Sequence, residues 1–252
     1  MSIHNTKVAV VTDSAAALSQ DQITVHRLFV PRMEITIDGE TYLDGTDREL
    51  DDFYTLLEAS TVIPTTSAAK PAEYLEQFRS AAEVANSVFC VSVSARLSAA
   101  HDAAKVAAEL FAEERPDVSV RVFDSETAAS SQALITLAAV RTAMAGGTLD
   151  EVEASARSVA GKVRLVAMLG TLHYVHRSGR VPKIAVWATN LLNIKPVMEY
   201  STGKIGAIAR PRSAAKALKR IQREMLHDIE GKTAHVNVMH AGAMDKAEQL
   251  MN

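Results

Sequence analysis

Several things are scarce in this sequence, and each shortage closes off a class of protein. One cysteine, Cys90, is present, so no internal disulfide framework can form. That suits a reducing compartment, and the chain is expected in the cytoplasm. Aromatic residues make up only 5% of the chain, with a single tryptophan. No apolar run approaches the ~20 residues that a membrane-spanning helix needs. The opening Met1-Ser2-Ile3-His4-Asn5 lacks the basic and then apolar pattern of a secretory signal. G-x-G-x-x-G, G-x-x-x-x-G-K-[ST] and G-x-S-x-G are all missing, so dinucleotide enzymes, P-loop NTPases and α/β-hydrolases lose support. There is no H-E-x-x-H and no Cys/His cluster, and His173 and His176 have no third ligand near them in sequence. No metal and no cofactor are therefore expected. Asp51-Asp52 reads as the solvated face of a helix.

What is present is ordinary for a folded protein. The 252 residues are 48% apolar and 23% charged, which excludes disordered and collagen-like chains. The length accommodates one large domain or two small ones. Charge is divided unevenly. Residues 1–160 carry 12 basic and 24 acidic side chains, whereas residues 161–252 carry 15 basic and 6 acidic. Between Ser201 and Arg223 lie seven cations (Lys204, Arg210, Arg212, Lys216, Lys219, Arg220 and Arg223) and no anion. Such a run is either a solvated face complementing an acidic neighbour or a surface for an anionic ligand, a partner or nucleic acid.

Apolar runs at Lys7–Thr12, Val88–Ser92 and Ser119–Phe123 read as short buried strands. Helical stretches lie between them. Thr46-x-x-Glu49 is a capping box before Leu50–Glu58. Pro71 suits the first position of a helix to about Asn86. Ser98 can cap an Ala-rich helix to Glu114, stopped before Pro116. Ser130–Ala145 ends at Gly146-Gly147, and Leu149–Ala160 follows as an amphipathic helix. The alternation predicts βαβ units on a parallel sheet. After Gly161 the strands crowd together: Arg164–Leu169, Ile194–Tyr200, Lys204–Arg210 and Ala234–Met239. Ser201-Thr202-Gly203 is the expected hairpin turn, and Ser213–His227 the expected helix. The fold class is therefore α/β in two domains: an N-terminal Rossmann-like parallel-sheet domain over 1–160 and a C-terminal α+β domain over 161–252.

An internal echo accompanies this pattern. Val10-Val11-Thr12-Asp13-Ser14 resembles Arg121-Val122-Phe123-Asp124-Ser125, and both place Asp-Ser at the carboxyl end of a strand. Ligands of open α/β sheets bind at that edge. Hydroxyl-rich turns recur as well, at Pro64-Thr65-Thr66-Ser67 and at Ser92-Val93-Ser94-Ala95-Arg96-Leu97-Ser98. Helix capping explains each turn alone. Together they offer O–H and N–H donors suited to a carboxylate or phosphate.

These residues resemble the DegV family of bacterial fatty-acid-binding proteins along nearly the whole chain. The matching pieces occur in order: Val11-Thr12-Asp13-Ser14; Val30-Pro31 leading to Gly39-Glu40-x-Tyr42-x-Asp44; Pro64-Thr65-Thr66-Ser67; Ser94-x-x-Leu97-Ser98; Asp124-Ser125; Ser178-Gly179-Arg180; and Leu192-x-x-Lys195-Pro196 with Gly203. The resemblance implies a non-enzymatic lipid carrier with a long-chain fatty acid in a tunnel between its two domains. By position, the carboxyl group meets Thr66 and Ser98, with Ser67 and Ser94 beside them and Arg180 as the cation. A separate ATP-dependent fatty acid kinase then phosphorylates the acid, for use in phospholipid synthesis. This sequence departs from the family at Ala99-Ala100, where Gly-Thr is usual, at Ala68-Ala69-Lys70 in place of Gln, and at Ser178 in place of Gly. The family's final strand and its histidine have no counterpart before Asn252.

Physical chemistry assigns the two ends different tasks. A tail of about fifteen methylenes, at ~0.8 kcal/mol each, offers on the order of 12 kcal/mol before the costs of binding. A head-group hydrogen bond nets only about 1–3 kcal/mol. The tail sets affinity and the hydroxyls set orientation. Candidate tunnel walls are the apolar residues of Ile184–Leu192 and Val163–Leu172, with Phe29 and Met33. Two rivals remain. One is a nucleic-acid-binding or regulatory protein using Lys204–Arg223, although no aromatic residue interleaves those cations for stacking on single strands. The other is a hydrolase or transferase using a serine such as Ser98, for which no base is apparent.

Overall fold

The computed structural model describes residues 6–47, 50–181, 194–201 and 204–251. The expected contributions of Glu49, of Leu192, of Thr202-Gly203 and of the wall segment Ile184–Leu192 lie outside those residues. The chain groups into two compact units. The first holds residues 1–50 and 64–163, and the second holds residues 51–63 and 164–252.

The first unit is built on β1 (Thr6–Thr12), followed by α1 (Gln20–Val25). A hairpin of β2 (Glu34–Ile37) and β3 (Glu40–Leu43) comes next. After α2 (Leu50–Ala59), which passes into the second unit, the chain returns with β4 (Thr65–Ser67). It continues through α3 (Pro71–Ala82), β5 (Ala85–Ser92), α4 (Ala100–Glu114), β6 (Ser119–Asp124), α5 (Ala129–Met144) and α6 (Leu149–Ala160).

β1, β5 and β6 form the expected parallel sheet, in the order β1-β5-β6. Thr12 stands opposite Val91, and Ser92 opposite Asp124, so the three strands finish level at their carboxyl ends. The period-2 alternation of β5 explains why the sheet is covered on both faces. Val88 and Cys90 pack with Tyr74, Phe78, Ala104 and Phe111 from α3 and α4. Phe89 and Val91 pack with Ile135, Ala139, Val140 and Val152 from α5 and α6. Phe78 and Phe111 are fully buried and meet edge-on, with 6.3 Å between ring centroids.

The helix ends follow their local chemistry. Thr148 and Glu151 close a capping box at the start of α6, and the Glu151 carboxylate accepts the Thr148 N–H at 2.7 Å. Pro71 opens α3, as expected. That helix stops at Ala82 rather than near Asn86, because Ala85 already pairs with Thr6 in the sheet. Ladder pairing here overrides a helix-compatible sequence. Thr65–Ser67 is an edge strand on β2, not a plain connection between helices. The β2–β3 hairpin turns at Asp38-Gly39, whose φ values of 51° and 85° are those of a tight two-residue turn.

The second unit carries a three-stranded antiparallel sheet of β7 (Leu165–Met168), β8 (Val197–Ser201) and β9 (Lys204–Ala209). Its helices are α7 (His173–Ser178), α8 (Ala214–Ile229) and α9 (Met244–Met251). Ser213 caps α8, accepting the Lys216 N–H at 3.4 Å. Arg164 is an electrostatic hub, donating to Glu199 at 2.9 Å, Glu224 at 2.8 Å and Asp228 at 2.7 Å. Those three carboxylates raise its already high pKa further, Glu199 most of all, and Arg164 in turn lowers that of Glu224. Ala234–Met239 is not the expected strand. No ladder forms along 233–240 among the described residues, and Val236 stays 53% exposed. An apolar alternation makes a strand only when a neighbouring edge takes its hydrogen bonds.

Candidate functional site

The carboxyl edge of the parallel sheet gathers polar side chains that are far apart in sequence. Asp13 follows β1 and is 3% exposed. One of its oxygens, Oδ2, accepts from the Val93 N–H at 2.7 Å and from the Tyr74 hydroxyl at 3.3 Å. Oδ1 accepts from the Ala15 N–H at 3.2 Å and from Gln132 Nε2 at 3.0 Å. Burial pushes the Asp13 carboxyl above its ordinary range, and the four donors partly offset this. The same burial, reinforced by Asp13, drives the Tyr74 hydroxyl well above its usual value. Both oxygens of Asp13 are thus engaged by internal donors.

On the other face of the edge, Thr12 donates to the Val91 carbonyl at 2.9 Å and accepts from Gln132 Nε2 at 3.1 Å and from Thr136 at 3.3 Å. Gln132 and Thr136 sit one turn apart on α5 and are fully buried. The sequence reading missed this network, although a polar i, i+4 pair within the Ala-rich stretch of α5 is a signal that could have found it.

The donor turn between β5 and α4 has its peptide groups almost wholly committed. Val93 N–H goes to Asp13, Ser94 N–H to the Thr127 carbonyl at 2.9 Å, and Ala95 N–H to Asp124 at 3.4 Å. Arg96 N–H goes to Ser94 Oγ at 3.3 Å, and the Leu97 and Ser98 N–H groups go to the Ser94 carbonyl. Ser98 Oγ accepts from the Ala100 N–H at 3.2 Å. The N-cap of α4 is Ala99, which has no side-chain acceptor, so Ser98 supports the first turn from one residue further out. In this turn, therefore, hydroxyl protons rather than the 93–98 peptide N–H groups are what a ligand can use. Ser94 is 1% exposed, and Ser98 is half-buried.

Thr66 and Ser67 lie on exposed β4, where Thr66 pairs with Ile35 and Ser67 with Glu34. Two residues before Ile35, the Met33 N–H donates to Ser14 Oγ at 3.1 Å. Just past β4, Ala68 and Ala69 pack in the same apolar cluster as Val93, Leu97 and Ala100. The residues next to both hydroxyl turns therefore share one apolar cluster of the first unit, although β4 belongs to the β3-β2-β4 sheet and the Ser94 turn leaves the parallel sheet. Arg180 belongs to the second unit. It follows Gly179, the left-handed cap of α7 with φ 69°, and its guanidinium donates to the Ser178 carbonyl at 3.3 Å.

Among the described residues Ser98 has no hydrogen bond to a histidine or carboxylate. The Ser–His contact is instead Ser92 Oγ to His101 Nδ1 at 2.9 Å, on a serine that is fully buried and also donates to the Phe123 carbonyl. The Cys90 thiol is buried and pushed well above its ordinary pKa, away from the reactive thiolate. Among the described residues no group of three or more His, Cys, Asp or Glu is placed to hold a metal. No helix among them is long and apolar enough to cross a membrane. The basic run spans β9, the connection after it and α8; Arg212 in the connection and Lys216, Lys219 and Arg223 on α8 are exposed, and Arg220 pairs with Glu224 at 2.7 Å.

Comparison with known proteins bears directly on this arrangement. The family model described as DegV, uncharacterised protein, matches residues 7–252. This chain belongs to the DegV family. A DegV domain-containing protein of Streptomyces coelicolor is 31% identical over 244 residues, 96% of this chain and 85% of that protein. Another from Caldanaerobacter subterraneus is 28% identical over 213 residues, 84% of this chain and 74% of that one. Among solved structures, a fatty-acid-binding DegV family protein of Streptococcus agalactiae aligns with a TM-score of 0.84 at 27% identity, covering 97% of this chain and 86% of that one. A stearic acid-binding protein of Eubacterium ventriosum aligns with a TM-score of 0.82 at 27% identity, covering 89% and 77%. The mixed α/β fold with its parallel sheet is thus the DegV fold.

Proposed function

We propose that this DegV protein is a cytoplasmic carrier of a long-chain fatty acid. The acyl tail lies in an apolar tunnel, and the carboxylate meets the hydroxyls of Thr66 and Ser98, with Ser67 and Ser94 beside them and Arg180 as counter-charge. The observation that carries this reading is that the residues just past the Thr66-Ser67 strand and those of the Ser94–Ser98 turn share one apolar cluster of the first unit. The Ser94 turn there has committed its 93–98 peptide N–H groups internally and keeps hydroxyl protons for a ligand. Hydroxyl donors around a carboxylate form charge-assisted bonds, stronger than neutral ones. The 27%-identical relatives described as binding fatty acid, one of them stearic acid, support the ligand class.

The carrier performs no chemistry on the acid. Both oxygens of Asp13 at this edge are taken by internal donors, and among the described residues Ser98 has no base at hydrogen-bonding distance. Phosphorylation of the carboxylate falls to a separate fatty acid kinase, which docks on the exposed cations of α8. The deciding experiment is native mass spectrometry of gently purified protein. A bound fatty acid of about C14–C20 is expected. Protein that is repeatedly empty and also refuses added palmitate and oleate would refute the carrier. The site assignment is tested separately: a Thr66→Ala/Ser98→Ala double variant that supports acyl-phosphate formation as well as the wild type would remove those residues from it.

A further inference from the structure

The sequence echo of Asp13-Ser14 in Asp124-Ser125 acquires a physical meaning at the sheet edge. Asp13-Ser14 follows β1 and Asp124-Ser125 straddles the end of β6, the strands on either side of β5, so the dipeptides flank the turn that leaves β5. Asp13 accepts the Val93 N–H from one side at 2.7 Å. Asp124 accepts the Ala95 N–H from the other side, with both carboxylate oxygens at 3.4 Å. Between them Ser94 donates its own N–H to the Thr127 carbonyl, in the loop that Asp124-Ser125 begins. The serines extend the grip. Ser14 Oγ accepts the Met33 N–H at 3.1 Å, just before the strand on which Thr66 pairs. Ser125 N–H donates to the Ser92 carbonyl at 3.1 Å, and its hydroxyl donates to the Thr127 carbonyl at 3.2 Å. The loop that makes the second grip is held in uncommon backbone, with Glu126 at φ 51° and Ala129 at φ 53°. Positive φ at such residues persists only where surrounding structure enforces it.

We propose that the two Asp-Ser dipeptides are a two-sided positioning clamp. It fixes the Ser94–Ser98 turn relative to the Thr66 strand and so sets the protein's preference for a carboxylate over an uncharged polar head group. Neither aspartate touches the ligand. Each acts through a backbone N–H next to Ser94, and Ser14 ties the same edge to β2. This inference rests on the fatty-acid carrier reading. Its chemical logic is that hydroxyls favour a carboxylate only when they converge on it. Hydroxyls free to wander solvate an alcohol nearly as well.

The test uses the full-length protein with palmitic acid and hexadecan-1-ol as probes, which share a sixteen-carbon chain and differ at the head. The readout is the ratio of the two dissociation constants, which a loss of general stability does not move. In Asp13→Asn the isosteric amide sets a donor against one of the N–H or O–H groups that Asp13 accepts, and the acid-over-alcohol ratio is expected to fall about tenfold. In Asp124→Ala, at a half-buried site whose bonds to the Ala95 N–H are the longer ones of the clamp, a fall of about threefold is expected. That variant decides the matter if Asp13→Asn fails to fold. A ratio within about twofold of wild type in both variants overturns the clamp while leaving the carrier intact. A wild-type protein that binds acid and alcohol equally overturns it too. A wild type that binds neither probe sinks the carrier reading, and the clamp with it.

Discussion

Ser98→Ala separates two roles that one oxygen plays. In the structure Ser98 Oγ accepts the Ala100 N–H at 3.2 Å and is the side-chain acceptor at the start of α4, since Ala99 at the N-cap has none. Losing that bond acts on the folded protein alone and costs about 0.5–1.5 kcal/mol of stability. The hydroxyl proton, bonded to a charged carboxylate, is worth about 1.5–3 kcal/mol to the complex, or on the order of tenfold to a hundredfold in Kd. The tail is untouched. Shortening the ligand from palmitate to myristate removes two methylenes, about 1.6 kcal/mol or roughly fifteenfold, and this step should be the same in variant and wild type. Urea unfolding of ligand-free protein reads the first term. Displacement of a fluorescent fatty acid by palmitate and myristate reads the second and third. The reasoning fails if the variant loses stability yet binds palmitate within twofold of wild type. Ser98 would then be a helix support and nothing more.

Three other outcomes are expected. Phe111→Ala empties a fully buried position between α4 and the sheet and should cost about 3–5 kcal/mol, seen as a lower urea midpoint; a loss under 1 kcal/mol would mean the core closes over the gap. Arg164→Met strips Glu199, Glu224 and Asp228 of their shared cation. Because Glu224 titrates below its ordinary 4.5 in the folded protein, the stability it derives from Arg164 is complete above pH 4.5 and fades as pH falls through the lowered value. The gap between Arg164→Met and wild type should therefore narrow between pH 5 and 3 in urea titrations, and a gap that does not change with pH refutes the hub. Charge reversal at Arg212 and Lys216 should slow association with the kinase several-fold at low salt, with the difference shrinking as salt rises; stopped-flow rates that do not change would place the docking face elsewhere.

Much of this protein was decided locally. The apolar runs of β1, β5 and β6, the Thr148–Glu151 box of α6 and the Ser213 cap of α8 are set by side-chain spacing and by hydrogen bonds within four residues. They were legible because local chemistry leaves few alternatives. The hydroxyl turns and the Asp-Ser echo were legible too, as residue types at strand ends. Tertiary structure decided what those residues touch. Ala85-Asn86 became strand because Thr6 offered a ladder, Thr65–Ser67 because β2 offered an edge, and Ala234–Met239 stayed outside any ladder. Residues 51–63 joined the second unit across a gap of some hundred positions, with Tyr174 donating to the Leu57 carbonyl at 3.5 Å. Asp13 looked like a turn residue in the sequence. Only folding brought it the Val93, Tyr74 and Gln132 donors, from positions 80, 61 and 119 residues away. A hydrogen bond needs its partner within about 3 Å in space and is indifferent to separation along the chain, so periodicity finds the elements and only packing finds the site.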